Sequence, residues 1–224
     1  MLRSLLSGGN LQDFLLTLLL SLPIIFLSLS VHETAHGYAA FKLGDPTAKN
    51  MGRLTLNPFK HFNPMGFLCM LLCGFGWANP VPIDTRYFKN PKRDMALSAL
   101  AGPLSNLILA VLFALLLRLE YAVFPSATLS NQLAYNLFVF LQTFCILGIN
   151  LNITLAVFNL IPCPPLDGSR IFLSFLPPHQ YFKVMRYEQY LSIALMVALF
   201  LGLLDTPIDF VSNLFLSLIS RLIF

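Results

Sequence analysis

The sequence predicts an all-α membrane protein: a polytopic helical bundle of about five spans, with a small membrane-associated β element between spans one and two. Three observations carry this. Hydrophobic residues make up 57% of the 224 residues, and the mean hydropathy is +0.74. Charged residues are 11%, where a soluble domain carries about a quarter. Apolar runs close to the roughly 20 residues that a bilayer requires recur along the chain, without repeats or low-complexity tracts. Such a chain has room for one bundle and no large soluble domain, so residues 1–224 are read as a single integral-membrane domain.

Span one covers about residues 11–43 and exceeds one bilayer thickness, so its end is expected to project or tilt. No A-x-A cleavage site follows its apolar run, which marks it as a retained span. Residues 44–93 form an insertion rich in Pro, Gly and Asn. Within it, 52–58 alternates like a short strand and 77–83 is its expected partner, with prolines that suggest a sheet edge. Residues 65–77 are apolar but too short to cross, and read as a re-entrant or interfacial piece. Spans two to five are expected at about 94–119, 131–161, 186–204 and 206–224.

The net charge of +4 is not a nucleic-acid signal, because the basic residues are sorted by topology. Five crossings place 12 Lys and Arg on the side of the 44–93 insertion and 2 on the other. That split predicts the N-terminus outside and the insertion and C-terminus in the cytoplasm. Lys42, Arg53, Arg86 and Lys92 serve this topology and can touch anionic lipid. Cys69, Cys73, Cys145 and Cys163 lie in apolar surroundings without C-x-x-C spacing and read as packing residues.

The chemistry concentrates in His32-Glu33-Thr34-Ala35-His36, directly behind the apolar run of span one. On a helix, residues four apart lie on one face about 6 Å apart along the axis. Two imidazoles so placed can reach one zinc ion, and the glutamate between them can take a proton from water there. Ionisable groups at a membrane boundary are costly and suggest function. A zinc site needs a third protein ligand. Span three ends on the same side, where the chain reads Asn159-Leu160-Ile161-Pro162-Cys163-Pro164-Pro165-Leu166-Asp167-Gly168. Asp-Gly is a common turn pair. However, a carboxylate behind helix-breaking prolines, on the side of H-E-x-x-H, favours Asp167 as that ligand.

These residues carry a resemblance. H-E-x-x-H in the first long helix, Ala101-Gly102-Pro103-Leu104-Ser105-Asn106 in the second and N-x-x-P-x-P-P-L-D-G at the end of the third resemble the site-2 protease family. More narrowly, the chain is similar to the short prokaryotic members of peptidase family M50 that lack a PDZ domain. Gly44-Asp45-Pro46-Thr47-Ala48 and Gly52-Arg53-Leu54-Thr55-Leu56-Asn57-Pro58 extend the likeness over most of the chain. The resemblance implies a helical membrane core with a small sheet, and cleavage of membrane-spanning substrates. It also implies one zinc ion on His32, His36 and Asp167, with Glu33 as catalytic base.

Other polar residues are weighed by position. Asn159, one turn before the break, either contacts a substrate carbonyl or oxyanion or satisfies carbonyls freed by the prolines. Ser98, Gly102 and Asn106 recur every fourth residue as a close-packed face, with Asn106 a candidate substrate contact near the site. Asn150, Asn152 and Thr154 read as helix–helix contacts, and His61 and His179 as interfacial or loop residues. The expected function is a zinc-dependent intramembrane endopeptidase acting on membrane proteins, whose unwound substrate pairs with the 52–58 or 77–83 strand edge. The alternatives are a zinc-binding membrane adaptor without proteolysis, against which the non-ligand Glu33 argues, and a metal transporter. A transporter predicts ionisable residues in several spans, and few are present.

Overall fold

A computed structural model describes residues 10–73, 76–124 and 131–223. The helical bundle is as expected, and its long helices have legible causes. Helix α1 (Leu11–Lys42) starts where the Asn10 side chain accepts from the Gln12 N–H. At 32 residues it runs for about 48 Å, beyond the hydrocarbon thickness of about 30 Å. Two short helices follow, α2 (Thr47–Asn50) and α3 (Pro64–Cys73). Helix α4 (Pro91–Val123) opens with Pro91 in its first turn, where the missing N–H costs nothing. The buried Asp94 carboxylate accepts from the Asn90 N–H at 3.0 Å. Helix α5 (Gln132–Asn159) is capped by Asn131 and stops before Pro162, Pro164 and Pro165, which cannot extend it. The Pro164–Pro165 peptide is cis. Then come α6 (Asp167–Leu173), α7 (Pro178–Arg186), α8 (Glu188–Phe200) and α9 (Asp205–Ile223).

Helix α4 lies between α1 and α5, antiparallel to both: Ser98 meets His36, and Asn106 meets both His32 and Asn152. The core joins Ile24 of α1 to Ala110, Phe113, Ala114 and Leu117 of α4. Cys145, Ile149, Ile153 and Val157 of α5 and Ile219 and Ile223 of α9 complete it. Leu15, Leu19, Leu104, Ile108, Leu112 and Leu116 face outward, as lipid-facing positions do. Where a bilayer surrounds the bundle, helices gain little from hiding apolar surface and instead associate by close packing. Gly148 shows this: a Cβ there would lie 2.6 Å from the Phe113 ring.

Three expectations change. The β element between spans one and two does not form: among the described residues there is no strand. Residues 53–63 and 79–80 do touch, through Arg53 Nη2 to the Asn79 carbonyl and the Asn79 N–H to the His61 carbonyl. Pro58, Pro80 and Pro82 remove the donors a ladder needs, and the local turns are the 3-10 segments Pro58–Lys60 and Thr85–Tyr87. The Thr55 carbonyl is taken by Thr34 Oγ1 and His61 Nε2, and the Val81 N–H by Glu33, so the strand edge for substrate pairing is missing.

The second change concerns the spans. Four helices of the described residues are long and apolar enough to cross, in Leu15–Lys42, Pro91–Val123, Gln132–Asn159 and Asp205–Ile223. The expected fourth span is α8, whose 13 residues reach only about 20 Å. As a result, α9 finishes beside Arg118, whose guanidinium donates to the Ile223 carbonyl. That is the bundle end where α1 begins, whereas five crossings would put Ile223 at the other end. Third, His61 is buried rather than interfacial, with Nε2 at 2.9 Å from the Thr55 carbonyl oxygen. His179 is exposed as expected, but it lies in the first turn of α7 rather than in a loop. Cys69, Cys145 and Cys163 are free thiols. Helix α3 is too short to cross, and its Phe67 stacks on Phe26 of α1 at 6.0 Å.

Gly148→Val is expected to destabilise the bundle by about 1–3 kcal/mol through overpacking against Phe113. The check is its thermal midpoint in detergent. An unchanged midpoint would mean that the ring has room to turn.

Candidate metal centre

The H-E-x-x-H residues lie in the continuous part of α1, and both imidazoles turn toward α4. His32 and His36 are 6% and 7% exposed. Gly102 makes their position possible. A Cβ there would overlap His36 Nε2 and come within 2.7 Å of His32 Cε1. Gly168 does the same for the third residue, since a Cβ would overlap the Leu160 and Ile161 carbonyls. The chain can therefore fold back over the end of α5, which brings Asp167 to the histidines.

Three atoms converge. The His32 and His36 Nε2 atoms are 2.9 Å apart. Asp167 Oδ2 lies 3.1 Å from the first and 3.2 Å from the second. The surrounding bonds settle where the imidazole protons sit. His36 Nδ1 is 2.8 Å from the Ser98 carbonyl oxygen, which can only accept, so Nδ1 donates. For His32 the reasoning runs back from another backbone carbonyl. Asn152 Nδ2 donates to the Gly148 carbonyl at 2.8 Å, so its Oδ1 accepts from Asn106 Nδ2 at 3.0 Å. Asn106 then turns its own Oδ1 to His32 Nδ1 at 2.6 Å, and that nitrogen donates. Both neutral rings thus present Nε2 lone pairs to each other and to a carboxylate oxygen.

The donor set fits a metal ion. Three facing lone pairs about 3 Å apart repel unless a cation or proton lies between them. Bonds of about 2.0–2.1 Å to a tetrahedral ion put ligand atoms roughly 3.3 Å apart, close to the spacing here. Two imidazoles and one carboxylate suit zinc, with one position left open.

The face of α1 turned away from α4 meets the insertion. Glu33 Oε2 accepts from the Val81 N–H at 2.8 Å, and Thr34 Oγ1 donates to the Thr55 carbonyl. At Gly37 a Cβ would lie 2.6 Å from Leu54 Cδ2 and 2.8 Å from Val81 Cγ1. Nothing local in the sequence points Val81 or Leu54 at α1; their alternation reads only as strand. Asn106 is fully buried, with its Oδ1 on His32 and its Nδ2 on Asn152, which fits holding the His32 ring. Asn152 is a helix–helix contact, as read, but one that ends on the site. Asn159 donates to the Leu155 carbonyl one turn back, and no described contact joins it to the three ligand atoms. Asn150 and Thr154, read as helix contacts, line a cavity of about 610 Å³ instead. It runs beside α1 and α5 past Ser30, His61, Trp77 and Phe158.

A bundle of membrane-length helices with a buried His-His-Asp cluster on an H-E-x-x-H helix defines a membrane protein with a candidate metal centre. The chain belongs to peptidase family M50, whose model matches residues 20–204. Bacillus subtilis YwhC, whose name includes the words zinc metalloprotease, is 43% identical over 175 residues, covering 77% of this chain and 76% of that protein. Rip2 of Mycolicibacterium smegmatis, similarly named, is 36% identical over 148 residues. That match covers 63% of this chain and 51% of Rip2, so the chain spans about half of that relative. Rip2 of Mycobacterium tuberculosis (strain H37Rv) is 31% identical over 177 residues, covering 76% of this chain and 62% of that protein. No solved structure matches.

Asn106→Leu and Asn152→Leu are each expected to weaken zinc binding about 10- to 100-fold, because the first removes the bond that orients the His32 ring and the second removes the partner that orients Asn106. Competition against a chromogenic chelator measures this. Equal affinity in all three proteins would show that the amide chain does not act on the metal.

Proposed function

We propose that this chain is a zinc-dependent endopeptidase that hydrolyses peptide bonds in or near the transmembrane segments of other membrane proteins. The observation that carries the reading is the convergence of His32 Nε2, His36 Nε2 and Asp167 Oδ2 beside Glu33, a carboxylate outside that cluster. A purely metal-binding protein has no need of Glu33. Membership of a peptidase family and the names of the relatives support the same class.

His32, His36 and Asp167 would hold one zinc ion. Bound there, zinc supplies a lowered pKa for water and polarises the scissile carbonyl. Glu33 accepts the proton of the attacking water and passes it to the leaving amine, so the peptide bond breaks to an acid and an amine. The site is largely enclosed, which strengthens every charge interaction inside it. A substrate helix hides its carbonyls in internal hydrogen bonds and must unwind before it can be cut. Asn159, at the end of α5, is the remaining candidate for a substrate contact.

The metal end of the bundle faces the cytoplasm in this proposal. With α9 ending at the opposite side, 11 basic residues among the described ones lie at the metal end and 2, Arg118 and Arg221, at the other. That asymmetry still follows the positive-inside rule.

Full-length protein in detergent is to be tested on membrane-spanning peptides. Cleavage is expected to disappear with a chelator and to return with zinc. Glu33→Gln should keep the zinc and lose at least about 100-fold in kcat, the weight of a general base. Asp167→Ala should lose the zinc as well. Cleavage by Glu33→Gln at the wild-type rate would overturn the assignment of the base.

A further inference from the structure

The insertion contains the run Pro80-Val81-Pro82. Proline has no backbone N–H, so Val81 carries the single donor of these three residues. The proline that follows also confines Val81 to extended backbone. That N–H lies 2.8 Å from Glu33 Oε2. Val81 is 7% exposed, and its side chain closes against Gly37, one turn along α1 from Glu33.

Both ends of the run are pinned. Upstream, the Asn79 N–H donates to the His61 carbonyl at 2.8 Å, and its side chain bonds the Phe62 carbonyl and Asn63. Arg53 Nη2 holds the Asn79 carbonyl at 2.8 Å. Downstream, the Asp84 N–H donates at 2.7 Å to Asp45, a fully buried carboxylate just past the end of α1. The donor is therefore aimed before any substrate arrives.

We infer that the Val81 backbone amide is a positioning group that orients Glu33 for proton transfer; this rests on the proposed role of Glu33 as the base. A free carboxylate rotates about its side-chain torsions. A hydrogen bond to its charged form is short, strong and directional. Fixing Oε2 leaves Oε1, which makes no bond within the described residues, as the oxygen for the water proton. Preorganisation of this kind removes reorientation from the reaction step. The flanking prolines serve the same end, since no neighbouring N–H can take the place of Val81.

The test replaces the residue 81 amide by an ester through cell-free synthesis of the full chain, which deletes the N–H and keeps the side chain. With zinc loaded, kcat is expected to fall about 10- to 100-fold, the weight of a hydrogen bond to a charged group, with KM within about threefold. Zinc content should equal that of the wild type. Val81→Ala keeps the donor and should lose only about threefold, whereas Val81→Pro should follow the ester. A zinc-loaded ester variant with wild-type kcat overturns the inference, as does a Val81→Ala loss as large as the ester's. If wild type cleaves and Glu33→Gln does not, an unaffected ester variant sinks this inference alone. If Glu33→Gln cleaves as wild type does, the assignment of the base fails and this inference with it.

Discussion

The structure depends on one electrostatic constraint: three hydrogen-bond acceptors held face to face about 3 Å apart in a buried site. Neutral imidazoles and a carboxylate do not gather in this way unaided. The fold forces the arrangement by tying the opposite nitrogen of each ring to a fixed acceptor. The Ser98 carbonyl holds one ring directly, and the Gly148 carbonyl holds the other through Asn152 and Asn106. The direction of each bond follows from backbone oxygens that can only accept, so the tautomers are consequences of the helix packing. Asp167 arrives from a separate element and closes the cluster.

Helix α4 makes this arrangement possible. It touches both α1 and α5, and its stripe Ser98, Gly102 and Asn106 does three jobs at four-residue intervals: an acceptor, a space and a relay. Without a Cβ at Gly102 the imidazoles can lie against the helix. In a bilayer, where apolar burial between helices contributes little, close approach and buried polar bonds determine which helices meet. The same helix contacts therefore stabilise the bundle and orient the two imidazoles of the candidate metal centre.

The insertion closes the other side of the motif. Its irregular backbone is held by bonds from side chains to main chain, through Asp45, Asn79, Arg53 and Thr34, in place of a sheet ladder. Because these bonds spend the backbone groups of Thr55 and Val81, the segment presents no open strand edge. It braces the motif helix at Glu33, Thr34 and Gly37. One face of α1 thus carries the two imidazoles of the candidate metal centre, and the adjacent face carries Glu33.

The sequence by itself determined the membrane class, the long helices and the end of α5 at its prolines, and it singled out His32, His36 and Asp167, which the fold brings together as a candidate metal centre. These follow from local rules: run length, helical spacing and proline's missing donor. It also pointed to the Ser98–Gly102–Asn106 stripe, through periodicity alone. Only the tertiary structure decided that Asn106 holds His32 through bonds to Asn152, that Val81 meets Glu33, and that residues 52–58 and 77–83 do not form a ladder. It likewise decided that α8 falls short of a span and that α9 ends at the opposite side from the metal. The reason is physical. An amide, a backbone N–H or a strand-like alternation has several partners of nearly equal local energy, and long-range packing of α1, α4, α5 and the insertion selects among them.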